Sequence, residues 1–300
     1  MLALFGPTAA GKSALAHAAA AELGGEVVVA DPFQRYRGLE IAADSPRPSA
    51  RAEVAYHLVG DLDLTEGSTA ADFAARAHRA VDDIAARGRL PIVAGGTGLY
   101  VRAALADLDF AAPPDPEARD RAEALVAEDR AGAANLLTTM APDLAARTDL
   151  ANPRRLARAL EVAQAGGGAG EGRLWSQSTR RPTVLLGVVR PRAVLDRLIA
   201  VRVRRELEEG LADELRAAVA TPGVAREPLQ VIGAREVAAL EAGELSPAEL
   251  PARLEARTRR LARRQLAWLR KMPHDDVLDL GEGPAEAALG ALLRRWAGGT

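Results

Sequence analysis

Eight residues near the amino end, Gly6-Pro7-Thr8-Ala9-Ala10-Gly11-Lys12-Ser13, match the pattern G-x-x-x-x-G-K-[ST] in full. The chemistry of that pattern is phosphate binding. Its glycines let backbone N–H groups turn toward phosphate oxygens, and the helix that follows adds the positive end of its dipole. In such a loop Lys12 reaches the terminal phosphates and Ser13 ligates Mg²⁺. The loop reads a di- or pyrophosphate unit and leaves open what is attached to it, a nucleotide such as ATP included. Composition singles out Lys12 further. Of 39 basic residues only Lys12 and Lys271 are lysine. A lysine kept in so arginine-rich a chain marks a place that takes a compact charge rather than a planar fork. Asp31 closes the apolar run 27–30, which puts it at the carboxyl edge of a sheet, where open α/β folds bind ligands. An acid there either holds Mg²⁺ through water or acts as a general base facing a nucleophile. Thr97, in the turn Gly95-Gly96-Thr97-Gly98, follows another apolar run and reaches the same edge.

These groups need a scaffold. Apolar runs at 2–5, 27–30, 90–94 and 183–189 read as buried strands. Helical patterns occupy 14–23, 70–86, 191–220, 234–242 and 247–271. Strand, glycine turn and helix in alternation mean βαβ units. The expected fold is α/β, a P-loop NTPase-like parallel sheet flanked by helices, with a helical insertion domain. The core is expected at 1–110 and 181–300 and the insertion at 111–180. A proline-rich break at 111–116 opens the insertion, and a glycine-rich loop at 166–172 lies within it.

Composition excludes several classes. The chain has 300 residues and is 48% apolar and 27% charged, which supports a folded core. No apolar run reaches the length of a membrane span. No basic, then apolar, leader precedes the first strand, so a cytoplasmic protein is expected. Cysteine is absent, which removes disulfides, thiol catalysis and zinc fingers. His17, His57, His78 and His274 show no metal-ligand spacing. Charge is unevenly spread. Residues 151–205 hold 12 basic and 3 acidic side chains, and residues 252–271 hold 8 and 1. Two basic tracts on a chain of net charge −2 suggest a local surface for a polyanion. Arg253, Arg257, Arg260 and Arg264 share one helical face by their 4-3-4 spacing.

Six segments in this order resemble the tRNA dimethylallyltransferase family. They are the P-loop, Asp31-Pro32-Phe33-Gln34-Arg35-Tyr36, and Gly95-Gly96-Thr97-Gly98-Leu99-Tyr100. The others are Asn152-Pro153-Arg154-Arg155-Leu156-Ala157-Arg158, Ile232-Gly233-Ala234-Arg235-Glu236, and residues 258–268 ending in Trp268. The resemblance implies transfer of a dimethylallyl group from dimethylallyl diphosphate to the exocyclic amine of adenosine at tRNA position 37. The alternative acceptor is a free adenine nucleotide. By the same resemblance Gly6, Pro7, Thr8, Ala9, Ala10, Gly11, Lys12 and Ser13 hold the diphosphate, with Ser13 on Mg²⁺. Asp31 is the implied base, and Thr8 and Arg202 assist the leaving diphosphate. Contacts to tRNA, at the anticodon stem-loop, fall on Asp31, Pro32, Phe33, Gln34, Thr97, Arg154, Arg155, Leu156, Ala157, Arg158, Arg235, Arg259 and Arg263. A monomer without membrane contact is expected. The sequence departs from the family pattern at Pro32, where serine is usual. It departs again at Asp44-Ser45, where the pattern has lysine after a small residue and this chain gains an acid.

Overall fold

The computed structural model describes residues 1–110, 115–166 and 173–298. Most of the proline-rich break and of the glycine-rich loop, residues 111–114 and 167–172, lies outside the described residues. The chain forms two compact units, Met1–Ala106 with Gln177–Thr300, and Asp107–Ser176. The boundary thus falls four residues before the 111–180 expected from sequence. The cause is local. The returning strap from Gln177 onward is already bonded to the larger unit, with the Arg180 N–H donating to the Leu105 carbonyl at 2.8 Å. Arg181 Nε donates to Asp82 at 2.9 Å in the same unit.

In the larger unit β1 (Leu2–Phe5) leads through the P-loop into α1 (Lys12–Leu23) and β2 (Gly25–Val29). Then come α2 (Pro48–Glu53), β3 (Tyr56–His57), α3 (Ala70–Ala86), β4 (Leu90–Gly95) and α4 (Gly98–Leu105). The smaller unit is helical: α5 (Pro116–Glu128), α6 (Arg130–Met140), α7 (Pro142–Arg147) and α8 (Pro153–Gln164). The chain resumes in the larger unit with β5 (Val184–Val189), α9 (Arg192–Glu208), α10 (Leu211–Val219), α11 (Ala234–Glu241) and α12 (Leu250–Leu269). It closes with β6 (Asp276–Asp279) and α13 (Leu289–Gly298).

The sheet has six strands in the order β3-β2-β4-β1-β5-β6, and every pairing is parallel. The first strand therefore lies inside the sheet, between β4 and β5. All four residues of β1 and all five of β2 are buried, as expected of parallel strands covered by helices on both faces. Phe5, the last residue of β1, is opposite Gly95 of β4 and Gly187 of β5. The loops after β1, β2, β4 and β5 consequently emerge at one edge. One apolar core fills the space between the sheet and α1, from Leu4 and Leu15 to Leu186 and Leu292. A second lies among α9–α12, with Leu211, Leu215, Leu250 and Leu254 buried in it.

Residues 191–220, which read as a single helix, form two. Gly210 adopts φ 99°, a left-handed conformation that breaks the pattern between α9 and α10. In the smaller unit α8 starts where its sequence dictates. Asn152 caps it by accepting from the Arg154 and Arg155 N–H groups at 3.1 and 3.3 Å, and Pro153 fills the first turn. Leu156, Ala157 and Leu160 of α8 are buried against Ala122, Val126, Ala133 and Leu137 in the core of this unit.

Candidate active site

The P-loop starts where β1 ends. Gly11 takes φ 97°, a conformation that only glycine adopts cheaply, and α1 begins at the next residue. The first turn of α1 keeps its N–H groups unbonded within the helix, so they are available to an anion. Lys12 is buried, and its Nζ donates to the Pro7 carbonyl at 2.7 Å. Burial lowers its pKa to about 8, while the nearby Asp31 pulls the other way. Ser13 is exposed to the cleft. The Thr8 N–H donates to Gln265 Oε1 of α12 at 2.7 Å. Thr8 Oγ1 accepts from Arg202 Nη1 of α9 at 2.8 Å.

Asp31 stands two residues beyond β2, at the edge its position in the sequence predicted. Its Oδ1 accepts from the Phe33 N–H at 2.9 Å and the Gln34 N–H at 3.4 Å. Burial pushes its pKa up, against those two N–H groups and the Arg202 and Lys12 charges. A carboxyl so placed takes up a proton more readily than an ordinary aspartate, which suits a base. Gln34 Nε2 turns away to the Ala43 and Asp44 carbonyls at 3.2 and 3.4 Å.

Arg202 reaches the same cleft from α9. Its Nε donates to Glu206 at 2.6 Å, and its Nη1 lies 3.1 Å from Asp44 Oδ2. Burial works against its charge, but Asp44, Glu206 and Asp31 outweigh that and hold its pKa above the usual arginine value. Arg205 donates to the other Asp44 oxygen. Asp44, which could have faced metal or solvent, is thus an arginine partner. The cleft these residues line has a volume of about 400 Å³ and runs from Thr8, Lys12 and Ser13 past Asp31 to Gly96 and Leu261.

Several positions have a part in the site that the sequence did not assign them. Gln265 and Thr258 are polar residues in the buried stripe of α12 formed by Leu250, Leu254, Ala262 and Leu269. That polar interruption is a readable signal. Arg190, the residue after β5, is buried and donates to the Ala10 carbonyl at 3.0 Å. It also donates to the Gly281 and Gly283 carbonyls at 3.0 and 2.8 Å. An arginine closing an unbroken apolar strand is the trace it leaves in sequence.

The remaining site residues divide. Phe33 and Gln34 line the cleft, as do Gly95 and Gly96. Pro32 is half-buried beside them. Thr97 starts α4 without a side-chain capping bond, so its hydroxyl is uncommitted there. Gly98 lies against the Trp268 ring, where a Cβ would collide with it. Arg235 and Arg263 are exposed and make no ion pair among the described residues. Arg259 is engaged instead, with Glu255 at 2.6 Å and Asp196 at 3.4 Å. Arg257, from the row of four, turns to Glu236 at 2.9 Å. Arg154, Arg155 and Arg158 belong to the helical unit. The first two are exposed, and Arg158 pairs with Glu161 at 2.7 Å. Leu156 and Ala157 differ from these arginines. Both side chains are buried in the core of that unit, so they hold the helix and offer RNA no side-chain surface.

Among the described residues no three histidine or acidic side chains converge on a metal position. That donor set fits Mg²⁺ all the same, because Mg²⁺ at a phosphate site takes one or two protein oxygens and completes its shell with phosphate and water. Ser13 is the protein oxygen exposed beside the P-loop.

The family model described as IPP transferase matches residues 34–272. The chain belongs to the IPP transferase family. A tRNA dimethylallyltransferase of Anaeromyxobacter dehalogenans is 45% identical, over 89% of this chain and 90% of its own length. One from Salinispora arenicola is 41% identical over 97% and 86%. Among solved structures, a tRNA isopentenylpyrophosphate transferase of Bacillus halodurans superposes with a TM-score of 0.72 at 30% identity, covering 99% of this chain and 95% of that one. A eukaryotic dimethylallyltransferase acting on tRNA gives a TM-score of 0.75 at 23% identity, over 93% and 73%, and shows the shared fold.

Proposed function

We propose that this family member transfers a dimethylallyl group from dimethylallyl diphosphate to the exocyclic amine of an adenosine in tRNA, at position 37 of the anticodon loop. One observation supports this above the others. A single cleft sets a P-loop anion cradle, Lys12 and Ser13, against a half-buried carboxyl of raised pKa, Asp31. The cradle suits a diphosphate leaving group, and the carboxyl suits a base at the acceptor. The amine nitrogen attacks the allylic carbon as that carbon's bond to the diphosphate oxygen breaks. Asp31 takes the proton that the amine gives up. Lys12, Arg202 and the N-terminus of α1 meet the negative charge that grows on the departing pyrophosphate. Ser13 would hold Mg²⁺, which would supply further neutralisation of the diphosphate. Thr8 is tied to Arg202 and positions it.

The exposed arginines of α12, Arg260, Arg263 and Arg264, suit phosphate contacts that position a folded RNA. A free adenine nucleotide needs no such surface, and the family relatives do not favour it as acceptor. A base acted on at an exocyclic group must leave its stack, and the roomy cleft accommodates one. The test is nucleoside mass spectrometry on unmodified tRNA incubated with the protein, dimethylallyl diphosphate and Mg²⁺. An isopentenyladenosine peak, absent with Asp31→Asn and absent when AMP replaces tRNA, is the expected result. Modified AMP with unmodified tRNA would overturn the choice of acceptor.

A further inference from the structure

We propose that Asp44 sets how tightly the cleft holds a diphosphate, by competing with it for Arg202 and Arg205. The proposal rests on the diphosphate reading above. The charged residues lining the cleft are Lys12, Arg202 and Arg205 on one side of the balance and Asp31, Asp44 and Glu206 on the other. The side chains lining the cleft therefore sum close to neutral, which is unusual for a site meant for a polyanion. Asp44 contributes to that together with Glu206, and of these acids it alone touches both arginines. Its Oδ2 is 3.1 Å from Arg202 Nη1, and its Oδ1 accepts from Arg205. The same Arg202 nitrogen donates to Thr8 of the P-loop at 2.8 Å. Asp44 and the P-loop thus share one guanidinium group, and a phosphate oxygen entering the cradle meets an arginine already neutralised.

The backbone of the loop sets where the carboxylate starts. Asp44 adopts φ 52°, left-handed for a residue with a side chain. Such conformations persist where the surroundings impose them. Its N–H donates to the Ile41 carbonyl at 3.0 Å, and its own carbonyl accepts from Gln34. Just before it, the Ile41 and Ala42 N–H groups both donate to Glu214 of α10 at 2.8 Å. The loop backbone is also held just after the site, where the Ser45 N–H donates to the Glu40 carbonyl at 2.9 Å, and the Asp44 carboxylate itself is held by its two arginine partners.

The competition acts on any diphosphate that enters the cleft, donor and pyrophosphate alike. Arg202 and Arg205 mediate the effect, which makes Asp44 a positioning residue and not a catalytic one.

The decisive variant is Asp44→Asn. It keeps the shape and removes the charge, and asparagine accepts the left-handed conformation at least as readily. A thermal melt checks the fold. Calorimetric titration with pyrophosphate, with and without Mg²⁺, gives the direct readout. The expected result is binding on the order of tenfold tighter than wild type, the size of one nearby unit charge in a partly wet cleft. In turnover, the donor KM and the pyrophosphate inhibition constant both fall. Pyrophosphate binding that is unchanged or weaker overturns the proposal, and makes Asp44 a buttress for the arginines. Weakening seen only with Mg²⁺ overturns it too, and makes Asp44 a metal ligand. Wild-type protein that binds no pyrophosphate at all overturns the diphosphate reading along with it.

Discussion

Replacing Asp31 by asparagine tests the base and the lysine in one experiment. Asparagine retains an Oδ1, so the bonds from the Phe33 and Gln34 N–H groups at 2.9 and 3.4 Å survive and the loop keeps its shape. What disappears is the proton acceptor and one negative charge. Loss of a general base lowers turnover about 10²- to 10⁴-fold. The lost charge also acts on Lys12. Burial has already lowered that pKa to about 8, and Asp31 is the largest opposing influence. Without it the Lys12 pKa drops further. Lys12 holds the diphosphate only while protonated, and a lowered lysine pKa means that the charge is lost as pH rises through it. Wild-type donor KM should therefore increase as pH passes about 8. In the variant the increase should begin at lower pH. The acid limb of wild-type kcat, where Asp31 is protonated, should be missing from the residual activity. The assay is kcat and donor KM from pH 6 to 9.5 for both proteins. Turnover within about tenfold of wild type would refute Asp31 as base. Superimposable KM profiles would refute its coupling to Lys12.

Five further outcomes are expected. Arg190→Met removes donors to the Ala10, Gly281 and Gly283 carbonyls, and should cost about 2–4 kcal/mol in chemical denaturation. Glu26 is buried, and its bonds from Arg87 and then His57 hold its pKa at about 2. A depressed carboxylate stabilises the fold fully above its unfolded pKa near 4.5 and ceases to do so as pH falls toward 2. Glu26→Gln should therefore lower stability near neutral pH by about 2–3 kcal/mol and flatten the loss between those limits. Gly98→Ala drives a methyl into the Trp268 ring, and should shift tryptophan fluorescence and cost about 1–3 kcal/mol. Leu156→Ala should destabilise the helical unit by about 3–5 kcal/mol, seen as lost amide protection there. Arg155→Ala should leave that protection intact and weaken tRNA binding with a smaller salt slope.

Much of the scaffold was legible because its signals are local. The P-loop sits between an unbroken apolar run and a helical pattern, and Asn152-Pro153 states where α8 starts. β3 and β6 escaped for the opposite reason. β3 is two residues long, and β6 reads Asp276-Val277-Leu278-Asp279 with only Leu278 buried. Such edge strands are defined by the neighbour they pair with, not by their own pattern. Gly210 was a visible interruption, but only its φ of 99° makes it a helix boundary. In the site, Asp31 and Lys12 were found from strand ends and spacing. The Asp44–Arg205 contact joins residues 161 positions apart, which no local pattern encodes. The arginines of α12 show the limit of charge counting. Spacing puts Arg257 in a row with its neighbours, but Glu236, on another helix, has claimed it.

The strand order has a consequence for synthesis. β1 leaves the ribosome well before one of its two neighbours, β5, which ends at Val189. At ordinary translation speeds roughly 10 to 40 s pass before that partner exists. Throughout that interval the nascent chain presents a wholly apolar strand with an unpaired edge, a template for aggregation. The phosphate cradle waits longer still, since Arg190 props it against the carbonyls of Gly281 and Gly283. The residues that give this protein its chemistry are made long before the struts that make them usable.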